Sequence, residues 1–110
     1  MKKDKMIYFL TILLLVMSSH ARAVDIWSEW TEIAYLYPTS SHLMFTTVYK
    51  NTSYSTCDNG GRFALNIKNT DYKTQAAALM AAFAAGKDIK MVIIQAPAAC
   101  SATIDRFMVR

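Results

Sequence analysis

The chain has 110 residues and a formal net charge of +4, from 12 basic and 8 acidic side chains. Four of the basic residues and one acidic residue lie among the first 23 positions, so residues 24–110 keep eight basic and seven acidic side chains, a net charge of about +1. The remaining cations are scattered among the acids, whereas nucleic-acid binding needs a clustered basic face. The composition therefore excludes nucleic acid as an expected partner.

The N-terminus has the layout of a secretory signal peptide. Three lysines among the first five residues are followed by a twelve-residue apolar run, Met6–Met17, and by Ala21-Arg22-Ala23. A basic start, a short apolar run and an A-x-A site are typical of a cleaved signal. We expect cleavage near Ala23, which would leave residues 24–110 as a secreted or periplasmic domain. A spanning helix needs about 20 apolar residues, so we expect a mature form that does not span the membrane; an uncleaved anchor is the alternative.

Two cysteines, Cys57 and Cys100, are present in the whole chain. Because an exported chain folds in an oxidising compartment, we predict a disulfide between them. In the chain-entropy model such a link is worth on the order of 4 kcal/mol. A buried free thiol or a metal ligand is the alternative. We expect no metal site, because His42 is the one histidine of residues 24–110 and the spacings C-x-x-C and H-x-x-x-H are absent.

Three strands are predicted in the first half of this domain. Ile26–Tyr37 is rich in aromatic and β-branched residues. In His42–Tyr49 and Arg62–Ile67, successive residues would fall alternately on the two faces of a strand. The link Pro38–Ser41 suits a hairpin between the first two strands. The polar segment Asn51–Gly61 predicts a loop that carries the first cysteine.

Trp27 and Trp30 form a W-x-x-W pattern, which also occurs in thrombospondin-type repeats. Those repeats depend on several disulfides, and this chain has a single cysteine pair. We therefore interpret the two tryptophans as the beginning of a strand that covers an edge of the core.

One helix is predicted after the third strand. Asn69–Asp71 offers N-cap residues, alanine supplies high helix propensity, and Gly86 lies where a helix-ending glycine is expected. One face of the helix would carry Tyr72, Ala76, Leu79, Met80 and Phe83. We expect Leu79 and Phe83 to pack on the sheet. The Gly86-Lys87 pair follows the helix, whereas a phosphate loop precedes one, and we predict no cofactor.

Two further strands, Ile89–Ile94 and Thr103–Val109, complete the pattern. The predicted order is β-β-β-α-β-β, a mainly β fold with one helix. Five short strands with a helix between the third and the fourth are the order of an OB-fold, a small five-stranded barrel. We predict one OB-like domain over residues 24–110; an unrelated α+β sandwich is the alternative.

Tyrosines cluster around the predicted hairpin. A tyrosine ring stacks on apolar faces while its hydroxyl donates a hydrogen bond, and both properties suit a sugar ligand. We predict Tyr35, Tyr37, His42 and Tyr49 as ligand-binding residues; the alternative is that half of the tyrosines pack in the core and the others lie on a β-surface without binding a ligand. We predict no catalytic residue and no enzyme, because serine-based catalysis would depend on His42, and a lone histidine at a hairpin edge is more often structural.

Several segments together resemble a group of small secreted bacterial proteins that have a signal peptide followed by one OB-like domain. The segments are Leu36-Tyr37, Cys57, Arg62–Leu65, Tyr72-Lys73, Ala78–Ala82, Ala85–Lys87 and Cys100. More distantly, the order cysteine, strand, helix, glycine, strand is similar to that of the glycan-binding B subunits of AB5 toxins of the subtilase-cytotoxin type. That resemblance implies a homo-oligomeric ring of OB-folds that binds cell-surface sugars, although no sugar-binding residue of that family matches by position.

We therefore expect an exported, non-catalytic binding module with a glycan or a surface protein as its partner. The alternative is a protein-interaction module, either an inhibitor or an accessory subunit of another exported protein, that uses an exposed sheet edge.

Overall fold

The structure is a computed structural model that describes residues 24–110. This part of the chain forms six strands and one α-helix. In chain order they are β1 (Ile26–Trp27), β2 (Ile33–Pro38), β3 (His42–Thr47), β4 (Arg62–Asn66), α1 (Tyr72–Ala84), β5 (Ile89–Ile93) and β6 (Ala102–Val109). A short 3-10 helix, Cys57–Gly60, precedes β4. The predicted class, mainly β with one helix, is confirmed. The predicted signal peptide, residues 1–23, lies outside the described residues.

The strands form one sheet in the order β1-β5-β6-β4-β3-β2. Neighbouring strands are antiparallel except for β4 and β6, which are parallel. The predicted count of five strands is wrong. The first predicted strand is interrupted after Trp27, and its two parts, β1 and β2, lie at opposite ends of the strand order.

Two buried hydroxyl side chains explain the interruption between β1 and β2. The Met91 backbone N–H donates to Ser28 Oγ at 2.9 Å, and the Tyr49 N–H donates to Thr31 Oγ1 at 2.8 Å. These two side-chain oxygens accept hydrogen bonds that a backbone carbonyl of a neighbouring strand would otherwise accept. The backbone of Thr31 also bridges to Ile89 in β5. The chain therefore leaves one end of the strand order at β1 and joins the other end at β2.

The core lies on one face of the sheet, beneath α1. Across β3 and β4, Phe45 pairs with Phe63 and Leu43 pairs with Leu65, and all four side chains are buried. The other large apolar side chains that are fully buried are Leu79, Ile89, Met91, Ile93 and Ile104. Burial of each stabilises the fold by about 1.5–3 kcal/mol. Because side chains alternate along a strand, the opposite face of β3 and β4 carries a different set of residues.

Helix α1 ends near the predicted glycine. Gly86 has a φ of +66°, a conformation that glycine adopts readily because it has no Cβ. The Gly86 N–H donates to the Phe83 carbonyl at 3.2 Å, and the Lys87 N–H donates to the Ala82 carbonyl at 2.9 Å. These are the paired hydrogen bonds of a Schellman motif. Within residues 24–110, no helix combines the length and the apolar character that crossing a membrane requires.

The predicted inner face of α1 is confirmed for Ala76 and Leu79 and is wrong for Met80 and Phe83. Ala76, Leu79 and Ala82 are buried, whereas Met80 and Phe83 are 47% and 40% exposed. The prediction that Phe83 packs on the sheet is therefore wrong. Phe83 lies in the last turn of the helix and borders a surface depression of about 210 Å³. Because alanine fills most other positions, side-chain size does not determine which face of the helix packs inward.

The predicted disulfide joins Cys57 to Cys100. It links the loop before β4 to the loop before β6, and hydrogen bonds surround it. The Cys57 N–H donates to the Cys100 carbonyl at 3.1 Å, and the Thr56 N–H donates to the Ala99 carbonyl at 2.8 Å. The buried Ser55 hydroxyl also donates to the Cys100 carbonyl, at 3.0 Å. The covalent bond thus closes a junction that hydrogen bonds also hold.

Cys57→Ser and Cys100→Ser should each lower the melting temperature by the same amount, because either substitution opens the same loop, whose ends are 43 residues apart. The chain-entropy model gives a loss of about 4 kcal/mol in the free energy of unfolding. Thermal unfolding followed by circular dichroism would measure it, with the double variant as the control. Single variants that differ strongly, or a double variant much less stable than either, would contradict a shared cross-link.

Candidate functional site

Tyr35 and Tyr37 lie on the face of β2, β3 and β4 that points away from the core. The strand register places Tyr35 beside Thr46, and Thr46 beside Arg62. Tyr35 and Tyr37 are 46% and 48% exposed. Asp58, from the 3-10 helix before β4, contacts the same surface. We call the surface formed by Tyr35, Tyr37, Thr46, Asp58 and Arg62 the tyrosine face.

The Asp58 carboxylate is the centre of a hydrogen-bond network on this face. Its Oδ2 accepts hydrogen bonds from Arg62 Nε at 2.8 Å, the Tyr35 hydroxyl at 3.2 Å and the Thr46 hydroxyl at 3.3 Å. The side chains of Arg62 and Asp58 are 25% and 31% exposed. Three donors on one oxygen fix the orientation of the carboxylate, while both members of the ion pair stay accessible to solvent.

A left-handed turn places Asp58 over the strands. Asp58 and Asn59 have φ values of 53° and 54°, and Gly60 has a φ of 91°. Aspartate and asparagine tolerate this region better than most side chains, at a cost of about 1–3 kcal/mol each. Gly60 is required, because a Cβ there would lie 2.9 Å from the Thr52 nitrogen. The disulfide of Cys57 anchors the beginning of this turn.

Arg62 connects the network to an aromatic ring and to the disulfide. Its guanidinium carbon lies 6.0 Å from the centre of the Tyr37 ring, within the range of a cation–π interaction. Its Nη1 donates to the Cys100 sulfur at 3.5 Å. These contacts hold the guanidinium beside an exposed ring.

The ion pair shifts the pKa of both of its side chains. The hydrogen bond from Arg62 lowers the pKa of Asp58 below its ordinary value of 3.8, and it outweighs the desolvation that acts in the opposite direction. The charge of Arg62 and the hydrogen bonds from Tyr35 and Thr46 lower that pKa further. The hydrogen bond to Asp58 raises the pKa of Arg62. The pair is therefore ionised at neutral pH.

Of the four predicted ligand-binding residues, the structure brings Tyr35 and Tyr37 together. His42 begins β3 opposite Asn66, at the edge of the same face, and its Nδ1 lies 2.8 Å from the Ser41 hydroxyl. Within residues 24–110, no group of three or more His, Cys, Asp or Glu side chains is arranged to hold a metal ion. The ligand-binding role of these residues stays a prediction.

Tyr49 lies apart from the tyrosine face. Its ring stacks on Phe63, with the ring centres 6.2 Å apart, and it packs against the core. Its hydroxyl accepts a hydrogen bond from Asn51 Nδ2 at 3.1 Å. Tyr49 also borders a separate depression of about 310 Å³, beside Glu29 and Asp88. The alternative that some tyrosines pack in the core therefore describes part of the Tyr49 side chain.

Sequence reasoning misses Asp58 and Arg62. Asp58-Asn59-Gly60-Gly61 indicates a turn, and Arg62 falls on the polar side of β4. Nothing in that pattern shows that the turn folds back over the strand and directs a carboxylate to the tyrosines. The one signal in the sequence is that Asp58 and Arg62 have opposite charges and lie four residues apart, on either side of a glycine turn.

A second set of aromatic–cation contacts involves residues near both ends of the described chain. Lys90 Nζ and the Arg106 guanidinium lie 5.8 Å and 5.6 Å from the centre of the Trp27 ring. Arg110 lies 4.4 Å from that of Trp30. Carboxylates pair with Arg106 and Arg110. Trp27 lies in a strand, as interpreted from the sequence, and Trp30 lies outside one. These contacts join the segment around β1 to β5, to β6 and to the residue that follows β6.

No family model, no curated protein and no solved structure matches the chain.

Asp58→Asn should change how stability depends on pH. Because folding lowers the Asp58 pKa, the ionised carboxylate stabilises the fold above its unfolded pKa of about 3.9, and this contribution disappears as the pH falls through the lower folded pKa. The free energy of unfolding of the wild type should therefore fall more steeply below about pH 4 than that of the variant.

Urea denaturation at a series of pH values from about 6 to about 2 would measure this difference. Arg62→Ala should flatten the pH dependence in the same way, because it removes the main cause of the shift. Parallel curves for the wild type and Asp58→Asn would contradict the expected linkage.

Proposed function

We propose that the chain is an exported, non-catalytic module that binds a glycan at the tyrosine face. The observation that carries this proposal is the exposure of Tyr35 and Tyr37 beside the ionised Asp58–Arg62 pair. An aromatic ring can pack against the C–H face of a sugar, and ionised side chains can bond its hydroxyls. Export is supported by the disulfide, because disulfides form and persist in oxidising compartments.

The two tyrosines are held in place before any ligand arrives. The Tyr35 hydroxyl donates to Asp58, and the Tyr37 ring contacts Arg62. A side chain that is already held loses little conformational entropy on binding. An exposed ring also keeps apolar surface in water, and a ligand that covers it gains the corresponding hydrophobic free energy. Both effects favour binding at this face.

We also propose that the strands are an OB-like arrangement in which β1 and β2 are two halves of one strand. Two observations support it. The segment containing β1 and β2 pairs with β5 at one end of the strand order and with β3 at the other. The helix lies between β4 and β5 in the chain. OB-folds bind ligands on the face of their second and third strands, which here would be β3 and β4.

Tyr37→Ala should lower glycan affinity about tenfold, because an aromatic contact is worth about 0.5–1.5 kcal/mol beyond the area that it buries. A glycan array with the disulfide-bonded protein would identify the sugar, and titration calorimetry would measure its affinity. Tyr35→Phe keeps the ring and removes the hydroxyl, so comparison with Tyr35→Ala separates stacking from hydrogen bonding.

Met108→Ala is the matched control, since Met108 is 45% exposed and lies on β6. It should bind like the wild type. A protein that binds no sugar on the array, or an equal loss in Met108→Ala, would contradict glycan binding at the tyrosine face.

A second candidate function, protein interaction, is favoured by the exposed side of α1. From Ala76 to Ala85 the sequence has no polar side chain, and Met80 and Phe83 remain exposed. A helix that is apolar on all sides is normally covered on all sides. As the partner at this surface we propose a second copy of the chain.

The ends of α1 allow antiparallel packing of two copies, since each end carries one acidic and one basic residue. Asp71 and Lys73 lie at the beginning of the helix, and Lys87 and Asp88 follow its end. Antiparallel packing would bring Asp71 near Lys87 of the other copy, and opposed helix dipoles favour the same arrangement. A helix of 13 residues is about 20 Å long, so the contact is smaller than the roughly 800 Å² per partner of a stable complex. We expect weak association.

Sedimentation velocity should therefore show a reversible dimer, with a dissociation constant on the order of 100 μM. Ala81→Glu should abolish it, because Ala81 is exposed and glutamate keeps the helix propensity while placing a charge in the contact. Tyr37→Ala is the control and should associate like the wild type. A monomer at concentrations near 1 mM (roughly tenfold above that constant), or an unchanged dimer in Ala81→Glu, would contradict this contact.

A further inference from the structure

The Asp58 carboxylate has one oxygen without a partner among the residues that the structure describes. Its hydrogen bonds from Arg62, Tyr35 and Thr46 all end on Oδ2. The side chain is partly exposed, and each carboxylate oxygen accepts about two hydrogen bonds. Oδ1 is therefore an acceptor available to a ligand, held in orientation by the donors on Oδ2.

Arg62 has a donor available beside that acceptor. Its Nε bonds to Asp58 and its Nη1 bonds to the Cys100 sulfur. The Tyr35 hydroxyl also lies close enough to the guanidinium to raise the pKa of Arg62, and none of the hydrogen bonds within residues 24–110 is assigned to Nη2. The guanidinium is planar and carries its N–H groups in fixed directions. The ion pair fixes the plane of the guanidinium, and the guanidinium carbon lies 6.0 Å from the centre of the Tyr37 ring. The Nη2 donors therefore belong to a group that is held beside both the carboxylate and the ring.

A neighbouring acceptor and donor match two adjacent hydroxyls of a sugar. One hydroxyl would donate to Asp58 Oδ1 and the next would accept from Arg62 Nη2, and both bonds would be charge-assisted. The C–H face of the sugar would then lie against the Tyr37 ring. We infer that the ligand of the tyrosine face is a neutral sugar bound through a vicinal diol. This inference rests on the proposed glycan-binding function and adds the chemical class of the ligand.

The charges at the face disfavour an acidic sugar. Asp58 already balances the charge of Arg62 at 2.8 Å, and a ligand carboxylate would meet the carboxylate of Asp58. Two like charges about 5 Å apart weaken binding by about fourfold in water and by roughly a few hundredfold near a protein surface. Because attraction to Arg62 offsets part of this repulsion, we expect a net loss of roughly tenfold. The opposing influence is Lys50, whose Nζ donates to the Asp58 carbonyl at 3.2 Å.

Titration calorimetry of the disulfide-bonded protein with methyl mannoside, methyl galactoside and glucuronate tests this inference. At least one neutral glycoside should bind about tenfold more tightly than glucuronate. The analogue that lacks one hydroxyl of the diol should bind about tenfold less tightly than its parent. Asp58→Asn should weaken the neutral glycoside and reduce its advantage over glucuronate. Asp71→Asn is the matched control and should change neither affinity.

The outcomes separate this inference from the function on which it rests. If glucuronate binds more tightly than the neutral glycosides and Lys50→Ala removes that preference, the ligand is not a neutral sugar, although glycan binding itself stands. A neutral glycoside whose affinity does not change when either hydroxyl is removed would overturn the diol contact. Absence of binding both to these sugars and to a glycan array would overturn glycan binding, and the inference with it. The deoxy analogues leave the protein unaltered, so their result does not depend on the folding of a variant.

Discussion

The junction between the loop before β4 and the loop before β6 fixes the geometry of the tyrosine face. Cys57 is bonded to Cys100, and the next residue, Asp58, begins the left-handed turn. Arg62 contacts both the Asp58 carboxylate and the Cys100 sulfur. One junction thus positions both charged groups over the strands. It also opposes the relaxation that two positive φ values at non-glycine residues would otherwise favour.

Several features of the fold can be predicted because they follow from local chemistry. The alternation in β3 and β4 predicts the buried pair Phe45 and Phe63, since successive side chains of a strand point to opposite faces. Gly86 marks the helix end because the chain needs a positive φ there. The disulfide is predictable because a chain with two cysteines has one intramolecular pairing open to it.

Other features depend on contacts between distant parts of the chain, which no local pattern encodes. The interruption after β1 depends on the Ser28 hydroxyl, which accepts a hydrogen bond from Met91, 63 positions later. The same limit applies to the candidate site. Alternation predicts exposed tyrosines in β2, yet Tyr49, of the same residue type, stacks on Phe63. Asp58 reaches the tyrosines through a turn whose direction only the assembled fold determines.

The alanine-rich side of α1 has a practical consequence for altering this protein. Ala77, Ala78 and Ala81 are exposed, and charged residues such as glutamate and lysine have helix propensities close to that of leucine. Surface substitutions of this kind usually change stability by less than about 0.5 kcal/mol. The helix surface and the tyrosine face share no residue. A fluorescent label or a surface-immobilising tag can therefore be attached to the helix while the other surface keeps its shape.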